Sequence, residues 1–316
     1  MEYLLLVVGF LLLVKCADFF VSGSSSVAKK LGVEEFIIGL TLVAFGTSAP
    51  ELAVSVTASL QEQNEIAISN VLGSNIFNIL AVLGISSIIL PIKVDKNILS
   101  KDLPLSLVAA IATLVMCLDG FLEGSTTTVV SRGDGLILLL LFSIFLYYTI
   151  SYSVNNKNII ANEEICPLPL WKSLLLIGIG LIGIVMGGKL VVYSATIIAS
   201  DFGVSETIIG LTIVALGTSL PELVTTVVAT KKGSADMALG NVVGSNIFNI
   251  LLILGITSVI DPVYVNTENI SDAIILVLIT IVLIIMAYTS RKIQRAEGIV
   301  LISLLAMYYV FIFVRQ

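Results

Sequence analysis

Residues 271–288 read SDAIILVLITIVLIIMAY, and nine other stretches of this chain are nearly as apolar. Each is close to the ~20 residues that a helix needs to cross a bilayer. Inside a bilayer no water satisfies the backbone, so its N–H and C=O groups must pair within helices or closed barrels. The runs are long enough to span a bilayer as helices. Composition agrees: 57% of the residues are hydrophobic and 12% charged, with a mean hydropathy of +1.10. The chain therefore reads as an all-α, polytopic membrane protein.

The ten segments cover approximately 2–26, 35–60, 65–90, 103–119 and 135–153, then 171–199, 206–230, 236–260, 271–288 and 298–314. The N-terminal MEYLLLVVGFLLLVK has neither a basic start nor a small-residue cleavage site, so it reads as the first membrane helix and not as a signal peptide. The one long polar interval, SVNNKNIIANEEICPLP at 153–169, divides two groups of five helices. The expected organisation is a first repeat over 1–152, a linker over 153–170 and a second repeat over 171–316.

The two groups repeat each other. GLTLVAFGTSAPELAVSVTAS (39–59) aligns without gaps to GLTIVALGTSLPELVTTVVAT (210–230), with 13 of 21 positions identical. SNVLGSNIFNILAVLGI (69–85) aligns to GNVVGSNIFNILLILGI (240–256) at the same 171-residue offset, with 13 of 17 identical. Shared Leu-richness would match only apolar positions. Here Gly, Thr, Ser, Pro, Glu and Asn match as well.

Five helices is an odd number, so the second repeat enters the membrane from the opposite side. Charge gives an independent test, because cytoplasmic loops collect Lys and Arg. With the N-terminus outside, the inner loops carry Lys29, Lys30, Lys93, Lys96, Lys101, Lys157, Lys172, Lys231, Lys232, Arg291, Lys292 and Arg295. The outer side carries Arg132 and Arg315 only, with Lys15 and Lys189 inside segments. Twelve against two places both termini outside a cell membrane and the linker in the cytoplasm. Inverted repeats with interrupted helices are characteristic of secondary transporters.

The interruptions are GTSAPE (46–51) in the second segment and GTSLPE (217–222) in the seventh. Proline lacks an N–H and its ring clashes with the carbonyl four residues earlier. Breaks are therefore expected near 44–49 and at the equivalent place in the second repeat, freeing carbonyls around Ala44 and Ala215. Thr47, Ser48, Thr218 and Ser219 add hydroxyls, and Glu51 and Glu222 add carboxylates where burial of a charge is costly and marks function. A lone Thr/Ser-x-Pro would be a kink healed by hydroxyl back-bonding. Two copies, each with a glutamate, make a hard, anionic oxygen set suited to Na⁺, Ca²⁺ or Mg²⁺. The chain has no histidine, which excludes imidazole ligation.

The second motif, GSNIFN, occurs at 73–78 and 244–249. Ser74 and Asn78 share a helix face, as do Ser245 and Asn249. The doubled pattern makes these four candidate ligands, whereas Asn70, Asn75, Asn241 and Asn246 read as interhelical hydrogen bonders. Lys15 and Asp18, three residues apart, are expected to pair or lie near one another in a structural or interfacial role. Cys16, Cys117 and Cys166 have no metal or redox spacing and read as isolated thiols. The net charge of −6 says little about partners, because most charges sit in short loops, but no basic patch offers itself to a nucleic acid.

These residues resemble the cation/calcium exchanger superfamily, specifically the sodium/calcium exchangers of the prokaryotic type, whose repeats carry G-T-S-x-P-E and then G-N-x-x-G-S-N-x-x-[ND]. The resemblance spans the whole chain. It implies two inverted five-helix halves, with the second, third, seventh and eighth helices forming a core of four cation sites. By resemblance Glu51, Glu222, Thr47 and Thr218 match calcium ligands. Ser48, Ser74, Ser219, Ser245 and the carbonyls of Ala44 and Ala215 match sodium ligands, and Asn78 and Asn249 match the central positions. Asn249 departs from the Asp that many sodium/calcium exchangers carry there. The 153–169 interval is too short for the regulatory domain of animal exchangers.

The expected activity is electrogenic Na⁺/Ca²⁺ antiport by alternating access, with the two ions and the bilayer as partners and neither a cofactor nor an obligate protein partner. H⁺/Ca²⁺ exchange through the two glutamates is an alternative, but protons would not need the surrounding hydroxyls. A cation channel would lack a carbonyl-ring filter, and an intramembrane enzyme would lack an activated nucleophile.

Overall fold

The computed structural model describes residues 1–96, 98–124, 127–155, 168–203 and 215–315. The chain is a helical membrane protein. Among the described residues eight helices are long and apolar enough to cross a bilayer, and a bent pair makes a ninth span. These are α1 (Glu2–Leu31), the pair α2 (Glu35–Thr47) and α3 (Ala49–Leu60), α4 (Glu65–Ile89), α5 (Ile98–Cys117) and α6 (Arg132–Val154). Then follow α7 (Leu170–Asp201), the shorter α8 (Leu220–Lys231), α9 (Ala235–Ile260), α10 (Thr267–Ser290) and α11 (Arg295–Arg315). Of the expected seventh segment, 206–230, only the part from Ala215 onward is described, and most of the expected linker lies outside the described residues.

Among the described residues four short strands accompany the helices: β1 (Ile92–Lys93), β2 (Thr128–Val130), β3 (Val263–Val265) and β4 (Lys292–Ile293). The chain divides into two compact units that each draw on both sequence repeats. One comprises Met1–Pro50 and Thr149–Asn241, the other Glu51–Tyr148 and Val242–Gln316.

In the first unit α1 lies antiparallel against α7, and glycines set the spacing. A Cβ on Gly180 would lie 2.7 Å from the Phe20 nitrogen and 2.8 Å from the Cys16 oxygen, and one on Gly23 would lie 2.7 Å from the Ser173 oxygen. Backbone-to-backbone approach of this kind replaces the hydrophobic effect as the source of helix association in lipid. α1 ends where Gly32 takes a left-handed conformation (φ 64°), with Lys29 and Lys30 in the last turn, favourable to the helix dipole. Asp18 does not pair with Lys15, as its spacing suggested. Its carboxylate meets the Lys232 ammonium at 2.8 Å, and the same ammonium reaches the Asp18 carbonyl and the Ser22 hydroxyl. A lysine from beyond the end of α8 wins because Lys15 projects to an exposed face of α1. Cys16 and Cys117 are buried free thiols, and Cys166 lies outside the described residues.

In the second unit two antiparallel ribbons tie loops together, β1 with β4 and β2 with β3. β3 immediately precedes α10 and β4 immediately follows it, so the ribbons sit at opposite ends of that 24-residue helix. α4 runs into β1 and α9 runs into β3. The C-terminal ends of α4 and α9 are thus at opposite ends of α10. Arg315 closes the unit with a two-pronged ion pair to Asp272, at 2.7 and 3.0 Å.

The α1–α7 contact gives a prediction of opposite signs for one substitution type. Gly180→Ala must push two backbones apart, costing about 1–3 kcal/mol and lowering the melting temperature of detergent-purified protein. Gly178→Ala, with nothing within 4 Å of its added Cβ, should raise it, because alanine favours a helix over glycine by about 0.5–1 kcal/mol.

Candidate cation site

The first motif forms a helix restart. α2 stops at Thr47, α3 begins at Ala49, and the two axes differ by 46°. Pro50 is the second residue of α3 and Pro221 the second of α8. At those positions no intrahelical partner exists for an N–H, so proline starts each new helix without loss. Glu51 and Glu222 then fall in the first turn of their helices, where the positive end of the helix dipole favours a carboxylate.

Ser-x-x-Glu is also the spacing of a capping box, yet the hydroxyls are used otherwise. Ser219 makes no capping bond to α8. Ser48 donates from Oγ to Oε1 of Glu222 at 3.0 Å, across 174 residues of sequence. Thr47 Oγ1 donates to Asn241 Oδ1 at 3.1 Å, and Asn241 Nδ2 donates to Thr226 Oγ1 at 2.9 Å. In the second unit Asn70 Nδ2 repeats the last bond to Ser55 Oγ at 3.0 Å, and also approaches the Glu51 carbonyl at 3.4 Å. Asn70 and Asn241 are therefore bracing residues, as their sequence suggested.

One expectation is corrected. The Ala44 carbonyl is not bare: it accepts from the Ser48 N–H at 3.0 Å. The chain remains helical up to Thr47, and the proline acts only beyond the break. Ala215 opens a single helical turn, Ala215–Gly217, and Thr218 and Ser219 occupy the gap before α8.

The second motif sits where α4 and α9 widen. Asn78 opens a π-helical stretch, Asn78–Leu83, and Asn249 lies in the equivalent stretch, Phe248–Leu254. Such widened turns accompany functional sites. Four asparagines interlock here. Asn78 Nδ2 donates to Asn246 Oδ1 at 3.2 Å and Asn249 Nδ2 to Asn75 Oδ1 at 3.1 Å. Asn75 Nδ2 and Asn246 Nδ2 each reach the other's main-chain carbonyl, at 3.4 and 3.5 Å.

Glu51 and Glu222 are 1% and 0% exposed, and Thr47, Ser48, Ser74, Asn78, Ser219, Ser245 and Asn249 are buried as well. Glu222 Oε2 in the first unit, and Asn78 Oδ1, Asn249 Oδ1 and Ser245 Oγ in the second, have no hydrogen-bond partner. A buried polar atom left unpaired costs about 1–3 kcal/mol. Oxygens of this kind, with carboxylates among them, are what a hard cation takes. The first unit brings together Thr47, Ser48, Glu222 and Asn241; the second brings together Asn78 and Asn249 through Asn75 and Asn246. The bridging asparagines carried only a weak sequence signal, their repetition within GSNIFN.

The sodium/calcium exchanger protein family matches residues 1–151 and 172–314. The chain belongs to this family. It is 33% identical to the sodium/calcium exchanger MaX1 of Methanosarcina acetivorans over 99% of this chain and 98% of that protein. It is 36% identical to the inner membrane protein YrbG of Escherichia coli over 93% of this chain and 91% of that one. A solved structure of the sodium-calcium exchanger NCX_Mj aligns over 98% of both chains with a TM-score of 0.85 and 35% identity. Exchangers are transporters, not enzymes.

The Ser48–Glu222 bond predicts that Ser48→Ala weakens the apparent affinity for a driving cation about tenfold, the scale of a lost hydrogen bond to a charged group. Ser143→Ala removes a hydroxyl that bonds only its own helix at Leu139 and should leave the half-saturating concentration unchanged. Flux titrations in vesicles check both.

Proposed function

We infer that this protein exchanges Na⁺ for Ca²⁺ across a membrane by alternating access. One observation carries the reading: a fully buried glutamate, Glu222, starts a helix, takes a hydrogen bond from the Ser48 hydroxyl and keeps its second oxygen unpaired. Its repeat mate Glu51 starts α3 in the same way. Two carboxylates match the charge of one Ca²⁺, and several Na⁺ replacing it would make the exchange electrogenic. Proton-coupled exchange and channel activity gain no support from family membership.

The proposed ligands are Glu51, Glu222, Thr47 and Thr218 for Ca²⁺, with Ser48, Ser74, Ser219, Ser245 and the carbonyls of Ala44 and Ala215 for Na⁺, and Asn78 and Asn249 at the centre. The Ala44 carbonyl would have to serve with the Ser48 N–H bond already in place. We further propose ten membrane helices in two inverted repeats, 1–152 and 171–316, joined by a cytoplasmic linker. The two ribbons support inversion: they put the C-terminal ends of the repeated helices α4 and α9 at opposite ends of α10. The distribution of Lys and Arg supports a cell-membrane location with both termini outside.

Proteoliposomes loaded with Na⁺ should take up Ca²⁺ when the Na⁺ gradient points outward, and an equal K⁺ gradient should drive none. Glu51→Gln and Glu222→Gln should each reduce that uptake to background while leaving the purified protein folded, since one charge then faces a divalent ion in a low-dielectric site. Wild-type flux in either variant would remove it from the ion path. For topology, single cysteines at 231–235 should react with impermeant reagents from the cytoplasm only, and those at 61–65 from outside only. Labelling of both loops from one side would refute inversion.

A further inference from the structure

The four asparagines of the widened turns form a closed chain of dependence. Asn75 and Asn246 each spend their NH₂ group on a main-chain carbonyl, Asn75 on that of residue 246 and Asn246 on that of residue 75. A carbonyl only accepts, so the amide group facing it must be the NH₂, which turns Oδ1 of each residue the other way. There Asn75 Oδ1 meets the amide of Asn249 at 3.1 Å, and Asn246 Oδ1 meets that of Asn78 at 3.2 Å. An acceptor requires a donor opposite, so Asn249 and Asn78 must present their NH₂ groups to this pair. Their own carbonyl oxygens are thereby directed elsewhere, buried and unpaired.

We propose that Asn75 and Asn246 are positioning residues that lock the amides of Asn249 and Asn78 in the orientation whose bare oxygen can receive a cation. The assignment rests on the exchanger reading of Asn78 and Asn249 above, and it crosses the repeats. Asn75 lies three residues from Asn78 yet acts on Asn249, and Asn246 lies three from Asn249 yet acts on Asn78. An unlocked amide can rotate by half a turn and offer its NH₂ group, a donor that repels a cation.

The lock also concerns the one departure from the family pattern. Asn75 Oδ1 needs a hydrogen-bond donor at position 249. An amide supplies one and still has an oxygen to spare, whereas an ionised carboxylate has only acceptors.

Double-mutant cycles on Na⁺-driven Ca²⁺ uptake test the assignment, with maximal flux and half-saturating Ca²⁺ and Na⁺ measured separately. Asn75→Ala should raise the half-saturating concentration of at least one ion about tenfold, the scale of one lost hydrogen bond, with maximal flux changed less than about twofold. In an Asn249→Ala background the same substitution should add almost nothing, because the group it orients is gone. In an Asn78→Ala background it should keep its full effect. Asn246→Ala should show the reverse pattern, silent with Asn78→Ala and fully effective with Asn249→Ala.

A plain interhelical brace would give additive losses in all four combinations and lower maximal flux together with melting temperature. That outcome overturns the proposal. Should an alanine variant not fold, Asn75→Ser and Asn246→Ser replace it, keeping a small polar side chain that is too short to hold the ligand amide. Failure of the serine variants to fold would make the pair a brace and would likewise overturn the assignment. Absence of Na⁺-driven uptake in the wild-type protein would instead refute the exchanger reading.

Discussion

A polar atom inside a bilayer has no water to turn to, and the described part of this chain is organised by where each such atom finds its partner. Several buried hydroxyls find it at once, on the carbonyl one turn back in their own helix: Thr113 on Ala109, Thr230 on Thr226, Thr257 on Ile253, Thr280 on Leu276. These bonds close locally and ask nothing of the neighbouring helices. The hydroxyls and amides of the repeated motifs behave differently. Ser48, Asn78, Asn241 and Asn249 reach side chains on other helices, and several oxygens beside them stay unpaired. Chemical type does not separate the two groups; the destination of the bond does.

The glutamates show how an otherwise prohibitive group is held. A carboxylate in hydrocarbon is costly by several kcal/mol. Glu51 and Glu222 offset part of that by standing in the first turn of a helix, and that turn exists mid-membrane only because a proline-led restart follows a break. The break in turn leaves Thr47 at the end of α2 and Ser48 just past it, where their hydroxyls are not needed for capping. Gly-Thr-Ser-x-Pro-Glu is thus one device: a stop, two donors, a restart and a charge. Each part has a physical reason to be next to the others.

That device was legible in the sequence because the chain states it twice, and a repeat of polar residues inside apolar runs cannot come from composition. The helices were legible for the same reason that any membrane span is. Partners distant in sequence were not. Lys15 and Asp18 have the spacing of a helical pair, but the Asp18 carboxylate found Lys232, 214 residues away. The Ala44 carbonyl was expected to be exposed by Pro50, but a proline removes the bond to the residue four before it, Gly46, and leaves the Ser48-to-Ala44 bond intact. Asn75 and Asn246 looked like generic interhelical glue, because helical spacing reports the face of one helix and nothing about the helix opposite.

The asparagine tetrad explains why a neutral group suits the centre of such a site. An amide carries two donors and an acceptor, so it can be anchored through one end and remain available at the other. Asn75 and Asn246 are anchored to backbone, which cannot rotate or change protonation, and the polarity of the whole chain of bonds follows from that fixed start. A carboxylate at position 78 or 249 would bring charge but could not be anchored to Asn246 Oδ1 or Asn75 Oδ1 in its ionised form. The 171-residue repeat preserves this arrangement on both sides, with Asn75 and Asn246 as mates and Asn78 and Asn249 as mates. In each repeat one asparagine is anchored to the backbone of the other repeat and holds that repeat's second asparagine by its amide.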